Sequence, residues 1–395
     1  MSTSAEGVAV HAWGEWLSAS LDARRRRHLL RELRTLEPEG PVHVRWRGRR
    51  MTLFSTNDYL GLSAHPEVRA AAAEAAERWG LGPRGSALVC GYTEQHEALE
   101  AELALWKDAE SALLFPTGFA TNVAVLTALA GNAETAIFSD ASNHASIIDG
   151  CRMAARSGAQ VHVYRHCDLG HLDALLAASP ARRRLIVTDT LFSMDGDLAP
   201  LAGLAELKER HGAWLVVDEA HATLILGERG GGAVERAGVG DAVDVHVGTL
   251  SKAFGCHGGF AACSRDVRTW LLNEGRPYVF STALPLPVVA AARAALRVRR
   301  DEPGIVARLD RYVETLRRAT GRDGVAPIVP VVLGTEERAL AAFERLLEEG
   351  LFVPAIRPPT VPPGTSRLRV TLSAAHEPED VETLVRGLQA LGVPP

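Results

Sequence analysis

From about Leu53 onward, short apolar runs alternate with longer segments whose apolar positions recur at helical spacing. The runs SALLF, TAIFSD, VHVYRH, RLIVTDT, AWLVVDEAH and DVHVGTLS read as strands. Between and before them, PEVRAAAAEAAERW, EQHEALEAELALWK, ATNVAVLTALA, SIIDGCRMAAR, HLDALLAA and LAGLAELKERHG read as helices. Strands that are apolar throughout are buried on both faces, and their alternation with helices implies an α/β fold with a mostly parallel sheet covered on both sides. Around Pro285–Pro287 the pattern changes. One long helical segment, VVAAARAALRVRRDEPGIVARLDRYVETLRRAT, leads to a strand PIVPVVLG, a helix EERALAAFERLLEEG and a strand SRLRVTLSA. At the other end, WLSASLDARRRRHLLRELRTLEP reads as a helix that runs until Pro38 stops it. The expected division is an N-terminal arm over 1–52, an α/β domain over 53–284 and a smaller α+β domain over 285–395.

Composition narrows the function classes. With 47% hydrophobic and 23% charged residues the 395-residue chain is that of a soluble globular protein. A formal net charge of −5 gives no reason to expect a nucleic-acid partner, so the run Arg24–Arg27 reads as a solvated helix face. Five cysteines without a CxxC pair suggest reduced thiols. The first residues lack the basic and apolar regions of a signal peptide, and no apolar run is long enough to span a bilayer. A cytoplasmic enzyme is expected.

Candidate chemistry starts from a scarcity. Of 43 basic residues only three, Lys107, Lys208 and Lys252, are lysines. Lys252 lies in GTLSKAFG, just after a strand, where a primary amine offers what a guanidinium does not: it deprotonates and forms a Schiff base with a carbonyl. Asp218 ends the strand in LVVDEAH, where a buried carboxylate needs a cationic partner, and a pyridinium nitrogen would serve. In a parallel sheet both residues open onto one crevice. A Schiff-base lysine with an acidic partner for the ring nitrogen is the signature of pyridoxal 5'-phosphate. FPTGFATN places Gly118 and Phe119 in a turn before a helix whose first amides favour a phosphate, and Thr249 adds a hydroxyl. His144 and His221 also follow strands, the first suited to stacking on a flat ring, the second to donating to a ring oxygen. Two other motifs fail in context. GLGPRG follows a helix and reads as a loop, and the DEAH tetrad of a nucleic-acid ATPase has no GxxxxGK[ST] sequence to hold a nucleoside triphosphate.

The segments TNDYLGL, CGYTEQHEALE, FPTGFATN, NHASIIDG, LFSMDGDLAPL, VVDEAHATLILGERGGG, GTLSKAFG and AIRPPTVPPGTSRLRVTLSAAHE together resemble the α-oxoamine synthases, fold-type I pyridoxal-phosphate enzymes, from about residue 16 to the C-terminus. The resemblance implies that Lys252 carries the cofactor, that Asp218 pairs with its ring nitrogen and that His144 stacks on the ring and touches substrate. It further implies that His221 bonds the ring oxygen and that Gly118, Phe119, Ser193 and Thr249 complete the cofactor site. Arg31, Asn57, Thr360 and Arg369 are implied to face substrate, with Arg369 holding an amino-acid carboxylate. AIRPPTVPPGTSRLRVTLSAAHE and HCDLGHLDALLA look most like the biotin-pathway branch, which joins L-alanine to a pimeloyl thioester of coenzyme A or an acyl-carrier protein. Sister enzymes use glycine or serine with another acyl-CoA. Homodimers with the site at the subunit boundary are implied, and no metal. Where the family usually has AHGTG, this chain has Ala220-His221-Ala222-Thr223-Leu224, and Asp189 stands where a glutamate is usual.

Overall fold

The computed structural model describes residues 5–322 and 324–392, with side chains from residue 12 onward. At its centre lies a seven-stranded sheet. In spatial order the strands are Ser111–Phe115, Gly259–Cys263, Val245–Thr249, Trp214–Asp218, Arg183–Asp189, Thr135–Asp140 and Gln160–Tyr164. The last five run parallel, and Gly259–Cys263 is antiparallel to both neighbours. The apolar runs are explained by the pleat. Leu215 and Val217 point into one core cluster and Val216 into the other, while Phe260 and Ala261 divide in the same way. With apolar layers on both faces, no polar alternation is left to see. The helices bury single stripes against these layers; Ile147, Cys151 and Ala154 form the buried face of Ala145–Arg156.

The long C-terminal helical segment is two helices, Leu286–Asp301 and Gly304–Thr320. Pro303 between them has no amide to continue the first, so the ladder closes at Glu302 N–H to Val298 O and restarts. Leu286–Asp301 packs against the helix Pro66–Trp79 of the central unit. A three-stranded antiparallel sheet follows, in the order Ile328–Gly334, Ser366–Thr371, Ala355–Ile356. Helices Glu336–Glu348 and Pro378–Ala390 accompany it.

The N-terminal helix differs from the expectation. It spans Ala5–Arg26 and stops well before Pro38. His28 takes a left-handed φ of 54°, with His28 N–H bonded to Arg25 O and Leu29 N–H to Arg24 O. That pairing is a Schellman closure with histidine where glycine usually signals it, so the stop was invisible in the residue pattern. The segment 1–52 is also more than an arm: its strand His43–Trp46 pairs with Arg49–Leu53, which in turn pairs in parallel with Leu351–Phe352 near the other end of the chain. The strand Gly259–Cys263 and the helix Pro378–Ala390 were not anticipated either. No helix among the described residues is long and apolar enough to cross a membrane.

Candidate active site

Since the five central strands run parallel, their carboxyl ends share one edge, and the loops leaving that edge collect most of the predicted residues. Lys252 sits in the turn between the antiparallel neighbours Val245–Thr249 and Gly259–Cys263. The turn is pinned by Leu250 N–H to Gly258 O at 3.0 Å and Gly255 N–H to Lys252 O at 2.8 Å. Gly255 has a φ of 65°, and a β-carbon there would lie 2.2 Å from Ser63 N, so only glycine lets the turn close against that backbone. Burial pushes the Lys252 amine down to about 8, with Asp218 opposing the shift and Arg369 assisting it. An amine in that range supplies a neutral fraction near physiological pH.

Asp218 is buried at the end of its strand. Its Oδ1 accepts from Ala220 N–H at 2.8 Å and its Oδ2 from the Asn122 amide at 2.6 Å. Asn122 also donates to Ser146 Oγ at 2.9 Å. His144 caps the helix Ala145–Arg156: its Nδ1 lies 2.7 Å from Ser146 Oγ and accepts from Ser146 N–H at 3.2 Å, which leaves the ring proton on Nε2. Phe119 stands edge-on to His144, ring centres 6.5 Å apart. His221 is buried with its Nδ1 2.6 Å from Tyr59 Oη. Burial holds this imidazole well below its usual range, and the cations Lys252 and Arg369 push the same way, so it works as a neutral ring.

Arg369 comes from the C-terminal strand Ser366–Thr371. Its Nε donates to Ser193 O at 2.5 Å and both terminal nitrogens reach Asn57 Oδ1 at 3.4 Å. Tyr59 Oη donates to the same Asn57 oxygen at 3.3 Å, so Asn57, Tyr59, His221, Ser193 and Arg369 form one connected group. Arg31 and Thr360 form a second, exposed group, with Arg31 Nη2 3.4 Å from Thr360 Oγ1. The neighbouring Arg357 donates to His28 O, fastening the chain after the first helix to this loop.

Pyridoxal phosphate fits what is present. The helix Gly118–Ala130 starts against Thr249, and a β-carbon on Gly118 would come within 3.1 Å of the Thr249 side chain, filling the cradle. Thr117 Oγ1 caps Ala120 N–H, which leaves the Gly118 and Phe119 amides for a phosphate. Asn122 Oδ1 is buried beside Asp218 without a partner among the described residues. Amine, carboxylate, neutral histidine and anion cradle are the donor set a phosphorylated pyridine aldehyde requires.

Sequence reasoning missed Tyr59 and Asn122 and marked Asp189 only as a departure from the usual glutamate. Asn122 lay within FPTGFATN, one helical turn beyond Gly118, and Tyr59 within TNDYLGL, but neither stretch shows which strand end it will meet. A cavity of about 400 Å³ lined by Trp214, Trp270 and Arg182–Arg184 lies at the opposite, amino-terminal end of the strands and holds none of the predicted residues. Lys107, also, is no candidate. It is buried in an ion pair with Glu219 at 2.7 Å and donates to Thr223 Oγ1 and Gly231 O.

Residues 49–388 match the aminotransferase class I and II family. The chain is 51% identical over 384 residues to the 8-amino-7-oxononanoate synthase of Anaeromyxobacter dehalogenans strain 2CP-1, with 95% of each chain covered. Among solved structures, a Sphingomonas wittichii serine palmitoyltransferase superposes with a TM-score of 0.85 at 32% identity, covering 99% of both chains. The 8-amino-7-oxononanoate synthase of Francisella tularensis superposes at 0.72 and 26% identity, covering 86% of this chain and 96% of that one. By these matches the chain belongs to the class I and II aminotransferase family and, within it, to the 8-amino-7-oxononanoate synthases.

Proposed function

We propose that this chain condenses L-alanine with a pimeloyl thioester, releasing carbon dioxide and the thiol and forming 8-amino-7-oxononanoate on the route to biotin. The observation that carries the reading is the convergence of Lys252, Asp218 and Arg369 on one crevice in a chain of this family. When bound, pyridoxal phosphate supplies a carbonyl for Schiff-base linkage and a ring that withdraws electron density from the α-carbon of an amino acid. Lys252 would hold the cofactor through its amine, and its Nζ, with its lowered basicity, would take the α-proton of alanine. Asp218, oriented by Asn122 and Ala220, keeps a proton on the ring nitrogen. His144 would pack against the cofactor and offer its Nε2–H to the thioester, while neutral His221, oriented by Tyr59, would bond the cofactor's phenolic oxygen. The Gly118 and Phe119 amides with Thr249 would hold the phosphate, and Ser193, whose carbonyl accepts from Arg369, would complete the cofactor site. Arg369 grips the alanine carboxylate as a fork, with Asn57 steadying the guanidinium. Arg31 and Thr360 receive the acyl donor at the crevice mouth. In this reading 53–284 holds the cofactor and 285–395 closes over the substrate, in a cytoplasmic homodimer with the site at the subunit boundary. Exposed Phe119, Val89 and Phe280 near the cradle support that boundary.

Thiol release from pimeloyl-CoA with alanine, glycine or serine, using cofactor-loaded protein, tests the assignment. Turnover with alanine is expected. Turnover only with glycine or serine would move the protein to a sister activity, and turnover only with a pimeloyl carrier protein would replace coenzyme A as donor.

A further inference from the structure

Three adjacent parallel strands, Thr135–Asp140, Arg183–Asp189 and Trp214–Asp218, each end on a buried aspartate, and Asp189 stands in register with Asp218. The carboxylates therefore line the edge of the sheet beneath the crevice. The outer two are well provided for. Asp218 has two N–H donors and faces Lys252. Asp140 accepts from Ser142 N–H and Cys167 N–H at 2.8 Å each. It also meets His166 Nδ1 at 2.8 Å, and the second nitrogen of that ring meets Asp197 at 2.8 Å. Between two carboxylates this imidazole is held above its usual range although burial pulls it down, so Asp140 has a cation of its own. Asp189, in the middle, accepts one hydrogen bond among the described residues, from the backbone N–H of His144 at 2.6 Å. Its own N–H donates to Asn143 Oδ1 at 2.8 Å, so strand end and loop clamp each other.

We propose that Asp189 is a positioning residue that works in its protonated, neutral form: it fixes the main chain of His144 over the cofactor site and leaves Asp218 as the single negative charge facing Lys252 and the ring nitrogen. Two neighbouring buried carboxylates do not both ionise, and the one with fewer donors keeps the proton. Consistent with this, burial first and Asp218 second drive the Asp189 carboxyl well above the usual range, with Asp140 adding to the push; the His144 amide and Lys252 oppose it. Geometry sets the second half of the role. His144 lies beyond the strand; Asn143 beside it bonds Val187 O and Asp189 N–H, and the Asp189 carboxyl adds the hydrogen bond that fixes the His144 N–H itself to the sheet edge.

The assignment rests on the pyridoxal-phosphate reading of the site, and the test separates the two. Asp189→Asn keeps a carbonyl oxygen for His144 N–H but cannot ionise; Asp189→Ala removes the acceptor, with Asp189→Ser in its place should that variant not fold. Each is compared with the parent and with Asp218→Asn for kcat with alanine and for the pH titration of cofactor absorbance. Asp189→Ala is expected to lose kcat by about tenfold or more, as misplaced groups do, and Asp189→Asn to recover most of that loss. The absorbance titration is expected to move in Asp218→Asn and to stay near the parent's in Asp189→Asn. An Asp189→Asn variant that loses activity and shifts its titration as Asp218→Asn does would show that the residue works ionised and overturn the proposal. A fully active Asp189→Ala or Asp189→Ser would overturn the positioning role. A parent that takes up no pyridoxal phosphate would overturn the underlying reading and this assignment with it.

Discussion

Three lysines in a chain otherwise charged with arginine make Lys252 chemically addressable. Lys107 is sealed in its ion pair, and Lys208 lies between Glu209 and Asp244. Borohydride reduction of the cofactor-loaded protein should therefore leave one labelled peptide, containing Lys252, in a mass-spectrometric digest; label on Lys107 or Lys208 would contradict the site. Arg369→Lys should keep its charge but lose the fork on the carboxylate, raising KM for alanine by roughly 10–100-fold with a smaller effect on the acyl donor; steady-state kinetics with each substrate varied in turn would check it. At this scale much of the crevice was legible, because the residues proposed for the chemistry are of unusual type for their position: a scarce lysine, an aspartate ending an apolar strand. Tyr59 and Asn122 were not, since their importance lies in partners far along the chain, His221 and Asp218.

Elements carry a different set of constraints. Lys107, at the end of the helix Glu94–Trp106, is tied to Glu219 just past the strand Trp214–Asp218, and His246 Nδ1 adds a contact to Glu219 at 3.2 Å. Burial alone would raise the Glu219 carboxyl, but Lys107 and His246 outweigh it and bring it down to about 2. Its contribution is thus whole above pH 4.5 and is lost as pH falls toward 2. Glu219→Gln strands a buried ammonium and should cost about 3–5 kcal/mol at neutral pH in urea unfolding, a deficit that shrinks as both proteins are titrated toward pH 2. Leu224 is fully buried yet has a φ of 71°, a left-handed conformation that glycine adopts without strain. Left-handed backbone costs roughly 1–2 kcal/mol, whereas deleting a buried leucine costs about 2–5 kcal/mol. Packing wins, and Leu224→Gly should be destabilised by about 1–3 kcal/mol in the same assay. Strands and helices of the central unit were legible because their apolar runs are both-faced or striped. Gly259–Cys263 was not, because a short GFAAC run after a glycine-rich turn carries no period, and the early helix stop depended on a histidine in a glycine's conformation.

Across the whole molecule, Val89 is 79% exposed and Phe280 71%, on segments that pack together beside the cofactor cradle. In the proposed homodimer these apolar side chains would lie in the covered face. Introducing Val89→Glu with Phe280→Glu should lower the sedimentation coefficient to that of one chain and reduce turnover; a variant that sediments like the parent would place the boundary elsewhere. How the two ends of the chain meet was not legible, since a parallel pairing of Arg49–Leu53 with Leu351–Phe352 is a property of the finished fold. That pairing dictates an order of events during synthesis. Domains emerging from the ribosome begin to fold from the amino end, but here the strand at Arg49–Leu53 stays without its Leu351–Phe352 neighbour until about 300 further residues have been translated. Through that interval the nascent chain carries an open sheet edge, and a product that ends between Lys252 and Leu351 retains Lys252 and Asp218 but leaves the edge uncovered, a substrate for chaperones and proteases rather than a partial enzyme.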